Sequence, residues 1–334
     1  MGNILRTESF KEFYRNSSKI GDIDPNIWMS NYLVNRLEMN FDQILWFCFL
    51  NSITYHLPTA YLIFNEYPDL ELVNEHRIRE WWLDVQKDCP FQRDKIKQRK
   101  FLPETILSYQ KLVGTSQKSF FDKLLKGKSD ENFDIIWNTL YLNIEHFGRF
   151  SVWNWTQMLK QVAGYDIQPN KLFLGESNAE SHTHGLCKAF GKDEWAFKER
   201  YVENGKRKKR VYKFTPEDKE WLETQATTLK EELELQDESV DLFYIETVAC
   251  AYKKLFRERD SRYIGFYLDR QAEDIKGIEN NGFNGVDWSI LWDARNELLD
   301  EQHLSNSVSK DKFKLSFENK IKSVDAKVSM DEWI

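Results

Sequence analysis

Cysteine is scarce in this chain. Only four of its 334 residues are cysteines, and they are widely separated, at Cys48, Cys89, Cys187 and Cys250. No two have the close, paired spacing of a disulfide framework, and no apolar leader precedes them. We therefore expect a protein of a reducing cytoplasm.

The chain also has no long uninterrupted apolar run. Its most apolar stretch, residues 44–64, contains Asn51, His56 and Pro58, which a lone membrane-spanning helix tolerates poorly. We expect two buried helices that meet at Pro58, and no membrane partner. A glycine-rich phosphate loop after a strand is likewise missing. We expect no redox cofactor, pyridoxal phosphate or nucleotide, while a loosely bound divalent ion stays compatible with the sequence.

Positive charge is in deficit overall but is concentrated locally. The formal net charge of −7 argues against a protein that coats nucleic acid indiscriminately, because neutralisation of phosphates supplies non-specific affinity. Residues 188–213 nevertheless contain ten Lys or Arg against four Asp or Glu, whereas residues 217–241 contain ten acids against two bases. One face of the protein is therefore suited to meet phosphates while another repels them.

Helix signals are frequent and strand signals are rare. Asp24-Pro25 and Thr215-Pro216 each have the form of an N-cap followed by proline in the first helical turn. Further helical patterns occupy residues 41–56, 59–67, 73–86, 104–113, 133–144, 150–162, 242–257, 263–278 and 289–299. We predict an all-α, multi-helical protein forming one catalytic unit, with an N-terminal half (1–165), a C-terminal half (166–300) and a flexible tail (301–334).

One β-hairpin is predicted within this helical chain. Strand-like residues between Phe197 and Phe214 flank the turn pair Asn204-Gly205. One arm of the hairpin carries five consecutive cations, which form a tip suited to bind a phosphate backbone. These cations are Lys206, Arg207, Lys208, Lys209 and Arg210.

Three segments carry residues that a scaffold alone does not require. In the first, Gly148-Arg149 opens a predicted helix that contains Trp153 and Trp155. Arg149 at a helix N-terminus is placed to bind a phosphate or pyrophosphate. The two tryptophan rings either pack in the core or offer a face on which a base stacks.

The second segment, residues 177–193, is predicted to be a polar loop that enters a short helix. The loop either caps that helix or contacts substrate. The residues concerned are Asn178, His182, His184, Cys187, Lys188 and Lys192. His182, His184 and Cys187 would supply at most three metal ligands in cramped order, so we expect no metal site from them.

The third segment runs from Tyr263 to Gln271. On a helix, Tyr263, Tyr267 and Arg270 share a face, and Asp269 lies next to Arg270. Asp269 and Arg270 either form a solvated ion pair or belong to a partly buried site that accepts a proton or binds a carboxylate. Their position between aromatic residues favours the site.

Four segments together resemble a known family. They read WFCFLNSITYHLPTAYLIFNEYPD, HFGRFSVWNWTQML, SHTHGLCKAFGKD and ACAYKKLFRERDSRYIGFYLDRQ, in this order. They resemble the amino acid:DNA transferases of bacteriophages, also called alpha-glutamyl/putrescinyl thymine pyrophosphorylases. The resemblance implies an all-helical fold related to helix-hairpin-helix DNA glycosylases. The chain departs from that fold at residues 146–149. They contain one glycine, whereas the turn of a helix-hairpin-helix motif usually contains two.

The resemblance also implies a reaction. An amine from an amino acid or polyamine displaces pyrophosphate from an activated 5-hydroxymethyluracil in DNA, in the host cytoplasm and with a functional link to a 5-hydroxymethyluracil DNA kinase. Such chemistry needs cations for the pyrophosphate, a base for the incoming ammonium, and access to a flipped or single-stranded base.

We assign candidate roles to named residues on this basis. The pyrophosphate would be bound by Arg149, Lys188 and Lys192, the proton would be taken by Asp269 or His184, and a substrate carboxylate would pair with Arg270. The base would stack on Tyr55, Trp153 or Trp155. Cys187 either adds to ring carbon 6 of the base or is an inert buried thiol.

Two other functions stay open at this point. A DNA base glycosylase of the same fold would release the free base instead of exchanging its substituent. A non-catalytic DNA-binding protein would need the basic hairpin but neither Arg149 nor Asp269.

Overall fold

The computed structural model describes residues 2–174, 181–196, 198–203, 206–235, 240–255, 264–283 and 285–298. Within them the chain is helical apart from one two-stranded hairpin, which confirms the predicted all-α class. Asn178, the turn pair Asn204-Gly205, Tyr263 and the tail 301–334 lie outside the described residues. No helix of the described part is long and apolar enough to span a bilayer.

The elements follow one another in the chain as listed here. The helices are α1 (Gly2–Lys19), α2 (Pro25–Arg36), α3 (Phe41–Thr54), α4 (Leu57–Glu66), α5 (Glu75–Val85), α6 (Leu102–Val113), α7 (Gln117–Leu124), α8 (Ser129–Asn138), α9 (Arg149–Gln161), α10 (Ser181–Ala189), α11 (Pro216–Glu234), α12 (Leu242–Tyr252), α13 (Phe266–Glu279) and α14 (Ser289–Glu297). Strands β1 (Lys198–Glu203) and β2 (Lys206–Val211) form the hairpin, and 3-10 segments occupy Leu70–Leu72, Arg93–Phe101, Leu140–Asn143 and Asp193–Ala196.

The chain divides into two compact units. The described residues of unit 1 come from 2–24 and 170–267, and those of unit 2 come from 25–169 and from 268 onward. Helices α1, α10, α11 and α12 and the hairpin therefore belong to unit 1. Helices α2 to α9 and α14 belong to unit 2, together with α13 from its third residue onward.

In unit 2, helices α3 and α4 form the buried centre. Helix α3 ends at Thr54 and α4 begins at Leu57, with Pro58 in the first turn of α4, so the two helices meet where the sequence predicts. Asn51, which interrupts the apolar run, is fully buried and accepts a hydrogen bond from Asn26 of α2 at 2.9 Å. Its polarity is therefore satisfied inside the core, at the contact between α2 and α3.

Aromatic rings fill the rest of this core. Phe49 of α3 stacks on Tyr109 of α6, with ring centroids 3.7 Å apart, and Trp155 of α9 meets both rings edge-on. All three rings are fully buried. Burial of one such side chain contributes about 1.5–3 kcal/mol, so these aromatic residues serve packing here.

In unit 1, helices α10 and α12 pack at very short distance. A Cβ atom built on Gly185 of α10 would lie 1.9 Å from the carbonyl oxygen of Ala249 in α12, so only glycine permits this approach. Helix α1 packs onto α12 through Phe10 and Phe13, whose ring centroids lie 5.1 and 6.0 Å from that of Tyr252. The close crossing places side chains of α10 directly beside those of α12.

Candidate functional site

In unit 2, the turn between α3 and α4 presents two adjacent side chains with unusual surroundings. Tyr55 has a φ of 43°, in the left-handed region that tyrosine rarely adopts. The buried His56 is the N-cap of α4, and its Nδ1 accepts a hydrogen bond from Thr59 N at 3.2 Å. Because Nδ1 is an acceptor, the neutral ring carries its proton on Nε2, which lies 3.6 Å from Asp274. A strained residue beside a buried histidine-carboxylate pair marks this turn as a candidate site.

Helix α13 brings two of the residues proposed from the sequence into unit 2. Arg270 donates a hydrogen bond from Nε to Asp274 Oδ1 at 2.9 Å, and half of its side chain is exposed. Asp269 Oδ1 lies 3.7 Å from Nη2 of the buried Arg295. Burial lowers the pKa of Arg295, and the nearby charge of Asp269 opposes that change. Both proposed residues of α13 therefore belong to charge pairs.

A buried lysine lies beside Tyr55. Lys95 Nζ donates to the carbonyl of Ser52 and to Ser151 Oγ, the latter at 2.9 Å. It also lies 4.8 Å from the ring centre of Phe150 and 6.0 Å from that of Tyr55. Since Phe150 and Ser151 are in the first turn of α9, Tyr55, Lys95 and the start of α9 form one neighbourhood. A cation among aromatic rings is stabilised by the negative faces of the rings and is able to attract an anionic group.

Arg149 begins α9 as predicted, but its guanidinium is engaged within unit 2. It donates to the carbonyl of Trp137, and its central carbon lies 4.4 Å from the ring centre of Trp137 and 4.5 Å from that of Tyr141. The N-cap of α9 is Gly148, which has no side chain to cap the helix. The helix start is therefore placed as the sequence indicates, while the guanidinium packs on aromatic rings.

Trp153 and Trp155 are core residues. Trp153 is only 6% exposed and its ring contacts Phe133 and Trp137, with centroids 6.0 and 6.1 Å apart. Trp155 is fully buried. A buried ring has no open face, which favours core packing over base stacking, the two alternatives that the sequence leaves open for these rings. Tyr55, which is half-buried, is the one of the three assigned rings that keeps an accessible surface.

In unit 1, the segment predicted as a polar loop is helical from Ser181 onward. Helix α10 buries His182, Thr183, His184 and Cys187 against the rest of the unit. The sequence predicts a loop that enters a short helix, and the structure places these residues on that helix, where close packing on α12 outweighs the weak helix propensity of serine, threonine, histidine and glycine.

His182 lies beside two residues of α12, Glu246 and Cys250. Its Nδ1 is 3.0 Å from Glu246 Oε1, and Cys250 Sγ donates to the same oxygen at 3.3 Å. His182 is 3% exposed, and neither of its ring nitrogens has a partner in hydrogen-bonding geometry. Burial raises the pKa of Glu246 but the contact with His182 outweighs it, so that the pKa is lowered. Burial and the charge of Glu246 raise the pKa of Cys250 well above its ordinary value.

The other charged residues proposed from this segment have different neighbours. His184 Nδ1 lies 3.2 Å from Nζ of Lys253. Lys188 pairs with Asp193, which also pairs with Arg6. Burial raises the pKa of Asp193, but its hydrogen bonds with the two cations outweigh burial and hold the pKa below its ordinary value. Lys188 is therefore part of a local three-residue charge cluster.

Cys187 is a buried thiol, and Lys192 lies near two tryptophan rings. Burial raises the pKa of Cys187 to about 12, which keeps the thiol protonated at neutral pH and favours the inert alternative. Lys192 Nζ lies 5.0 Å from the ring centre of Trp195 and 5.6 Å from that of Trp221.

The basic hairpin is present in unit 1. Strands β1 and β2 pair antiparallel with a two-residue connection. Lys206, Lys208 and Arg210 are exposed and alternate along β2, so they share one face. The side chains of Arg207 and Lys209 lie outside the described ones. This strand gives unit 1 an exposed cationic edge.

The residues assigned from the sequence divide between the two units. Unit 2 contains Tyr55, Arg149, Trp153, Trp155, Asp269 and Arg270. Unit 1 contains His182, His184, Cys187, Lys188, Lys192, Tyr267 and the hairpin. Tyr267 contacts Phe266 edge-on, with ring centroids 5.7 Å apart. The assigned roles stay predictions.

Sequence reasoning missed five residues of these clusters. Glu246 and Cys250 carried a signal, because residues four apart on a helix share a face. His56, Lys95 and Asp274 carried none, because their partners come from distant parts of the chain and nothing local distinguishes Lys95 from the other lysines around it.

Comparisons with known proteins agree on one family. The family model described as "Amino acid:DNA transferase" matches residues 19–260. A protein named "Serinyltransferase", from Salmonella phage ViI, is 24% identical over 278 residues. The match covers 78% of this chain and 64% of the relative, so the chain spans less than two thirds of that protein's length. No solved structure matches the chain significantly, and the likeness to DNA glycosylases stays a prediction. Since the family model covers well over half of the sequence, the chain belongs to the amino acid:DNA transferase family.

Proposed function

We propose that this chain is an enzyme that attaches an amino acid to an activated thymine-type base in DNA, with pyrophosphate as the leaving group. The observation that carries the proposal is the family match over residues 19–260. The name of the phage relative makes serine the first amino acid to test. The enzyme would act in the cytoplasm of an infected host, after a 5-hydroxymethyluracil DNA kinase has begun the activation of the base.

The proposed reaction is a substitution at the exocyclic methylene carbon of the base. The incoming ammonium first loses a proton, the freed amine nitrogen forms a bond to this carbon, and the carbon–oxygen bond to pyrophosphate breaks. The uracil ring donates electron density to the carbon, so the protein has to neutralise the leaving group and accept the proton. The free energy that drives the transfer comes from the pyrophosphate ester of the substrate. The proposal therefore requires no redox, pyridoxal or nucleotide cofactor.

Residues of unit 2 are suited to these tasks. Tyr55 would stack on the flipped base, and Lys95 would place a positive charge next to it. Asp269 would accept the proton and Arg270 would pair with the carboxylate of the amino acid. Arg149 at the start of α9 is proposed to bind pyrophosphate.

The test uses DNA in which one thymine is replaced by the pyrophosphate ester of 5-hydroxymethyluracil. The purified chain is incubated with this DNA, as single strand and as duplex, and with isotopically labelled serine. The DNA is then digested to nucleosides for mass spectrometry, and released pyrophosphate is measured in parallel. The control is the same DNA carrying unactivated 5-hydroxymethyluracil.

The expected result is a labelled nucleoside formed together with an equal amount of pyrophosphate, and only from the activated DNA. If serine, the other amino acids and putrescine all fail to appear in nucleosides, the proposal is wrong. Release of the free base would instead identify a glycosylase, and tight binding to DNA that stays chemically unchanged would identify a DNA-binding protein.

A further inference from the structure

We propose that His182, Glu246 and Cys250 form a zinc-binding site in unit 1, with one coordination position of the metal open to a small ligand. The three residues offer one nitrogen, one oxygen and one sulfur, and these atoms all lie within 4.8 Å of one another. The proposal does not depend on the transfer reaction, because it concerns only metal binding by this cluster.

The distances suit a tetrahedral zinc ion. Bonds of about 2.0–2.3 Å from zinc to nitrogen, oxygen and sulfur place the ligand atoms of a tetrahedral site roughly 3.3–3.7 Å apart. His182 Nδ1 lies 3.0 Å from Glu246 Oε1, and Cys250 Sγ lies 3.3 Å from that oxygen. Small side-chain adjustments would therefore accommodate the ion.

The surroundings of His182 are the second indication of a bound metal ion. His182 is 3% exposed; its Nδ1 faces Glu246 Oε1 at 3.0 Å without hydrogen-bonding geometry, and its Nε2 has no hydrogen-bond partner at all among the described residues. Buried polar atoms are normally satisfied, and an exception calls for an explanation such as an ion. A metal bound to one ring nitrogen would remove one of the two unsatisfied atoms.

The backbone holds the three ligands rigidly. Glu246 and Cys250 are one turn apart on α12 and so share a face. His182 precedes Gly185 by one turn of α10, and Gly185 lies directly against Ala249. The close helix crossing therefore positions the histidine over the other two ligands.

The chemistry of the donors selects the metal. Thiolate and imidazole ligands favour zinc over magnesium and calcium, which prefer oxygen ligands. Three protein ligands with a fourth position for water or substrate are typical of zinc sites that do chemistry. Access is available, since Cys250 is partly exposed and the side chain of Glu246 is 14% exposed. Lys253 and Lys254, three and four positions after Cys250, place positive charge near it, so an anionic fourth ligand such as hydroxide or a phosphate oxygen is favoured.

The test measures metal binding by the full chain. Metal-free protein is prepared with a chelator and a reductant, and zinc affinity is measured by competition with a chromophoric chelator. Cobalt is then added in place of zinc, because a cobalt–thiolate bond gives a characteristic near-ultraviolet charge-transfer band. The ligand variants are Cys250→Ser and His182→Gln. The matched control is Cys187→Ser, which changes a buried thiol of the same unit outside the cluster.

We expect the unchanged chain and the control to bind about one zinc ion, and each ligand variant to lose at least about 100-fold in affinity. The cobalt band should appear in the unchanged chain and be missing in Cys250→Ser. The proposal is overturned if the unchanged chain binds no zinc, if Cys250→Ser binds zinc as tightly as the control, or if the cobalt complex shows no thiolate band. Since the cobalt spectrum is recorded on the unchanged chain, it decides the matter even if a variant fails to fold.

Discussion

Two glycine-to-alanine changes are expected to have opposite effects on stability. Gly185 and Gly277 both lie inside helices, α10 and α13. Alanine has the higher helix propensity by about 1 kcal/mol, so helix formation alone would make both changes stabilising. The surroundings differ: no atom lies within 4 Å of a Cβ built on Gly277, whereas one built on Gly185 is 1.9 Å from Ala249 O and 2.5 Å from Ala249 C.

The magnitude follows from that distance. The contact with the Ala249 oxygen would be about 1.5 Å shorter than an ordinary van der Waals contact, and the obstacle is backbone rather than a flexible side chain. Forcing extra atoms into a packed core costs about 1–3 kcal/mol, occasionally more. We take the upper part of that range for Gly185→Ala. After the gain in helix propensity, a net loss of about 2 kcal/mol in the free energy of unfolding remains.

Equilibrium unfolding in urea, followed by far-ultraviolet circular dichroism, measures the difference. Gly185→Ala should lower the midpoint of the transition, and Gly277→Ala should leave it unchanged or raise it by the equivalent of up to about 1 kcal/mol. The reasoning about the α10–α12 crossing is refuted if Gly185→Ala is as stable as the unchanged chain, or if the two variants shift the midpoint in the same direction by the same amount.

Three further predictions concern charge and chemistry. Asp193 has a lowered pKa, so the stability it contributes is present above the pKa of the unfolded chain, about 3.9, and is lost as the pH falls through the folded value. Asp193→Asn should therefore lower the melting temperature at pH 7 by the equivalent of at most about 1 kcal/mol, because the side chain is 38% exposed. The variant should also lose less stability than the unchanged chain between pH 5 and pH 3. An unchanged dependence of stability on acid pH would contradict this prediction. Replacing the cations of 206–210 by alanine should weaken DNA binding and reduce the slope of log affinity against log salt by about 0.9 for each lost phosphate contact, whereas an unchanged slope would remove the hairpin from the interface. Asp269→Asn should slow single-turnover transfer by about 10²–10⁴-fold while DNA binding is retained. The control Glu273→Gln, which changes an exposed residue of the same helix, should transfer at the unchanged rate. If Asp269→Asn transfers as fast as this control, Asp269 is not the general base.

Much of the helical scaffold could be predicted because its signals are local. The capping devices at Pro25 and Thr215-Pro216 mark helix starts that the structure contains, and the interruption of the apolar run near Pro58 marks the break between α3 and α4. Helix α1 was missed although Phe10, Phe13 and Tyr14 have helical spacing and are buried. A short helix was expected near α10, but its bounds could not be predicted from propensity, since packing around Gly185 stabilises it.

The candidate sites were predictable only in part. Asp269 and Arg270 were singled out because charged residues between aromatic ones are unusual, and the structure places both in charge pairs. For Trp155 the sequence left core packing and base stacking open, because its spacing could not reveal that the helix is buried on most of its circumference. A sequence pattern reports which residues share a face but not what covers that face.

The sequence by itself determined the helical class, the hairpin and the family, because helix periodicity, capping and the order of characteristic segments are all written along the chain. Only the tertiary structure decided that Asp274 lies beside His56 and that Glu246 and Cys250 lie beside His182. These groups meet through close packing of helices from distant segments, and such packing depends on side-chain volumes and a single glycine contact that no local pattern encodes.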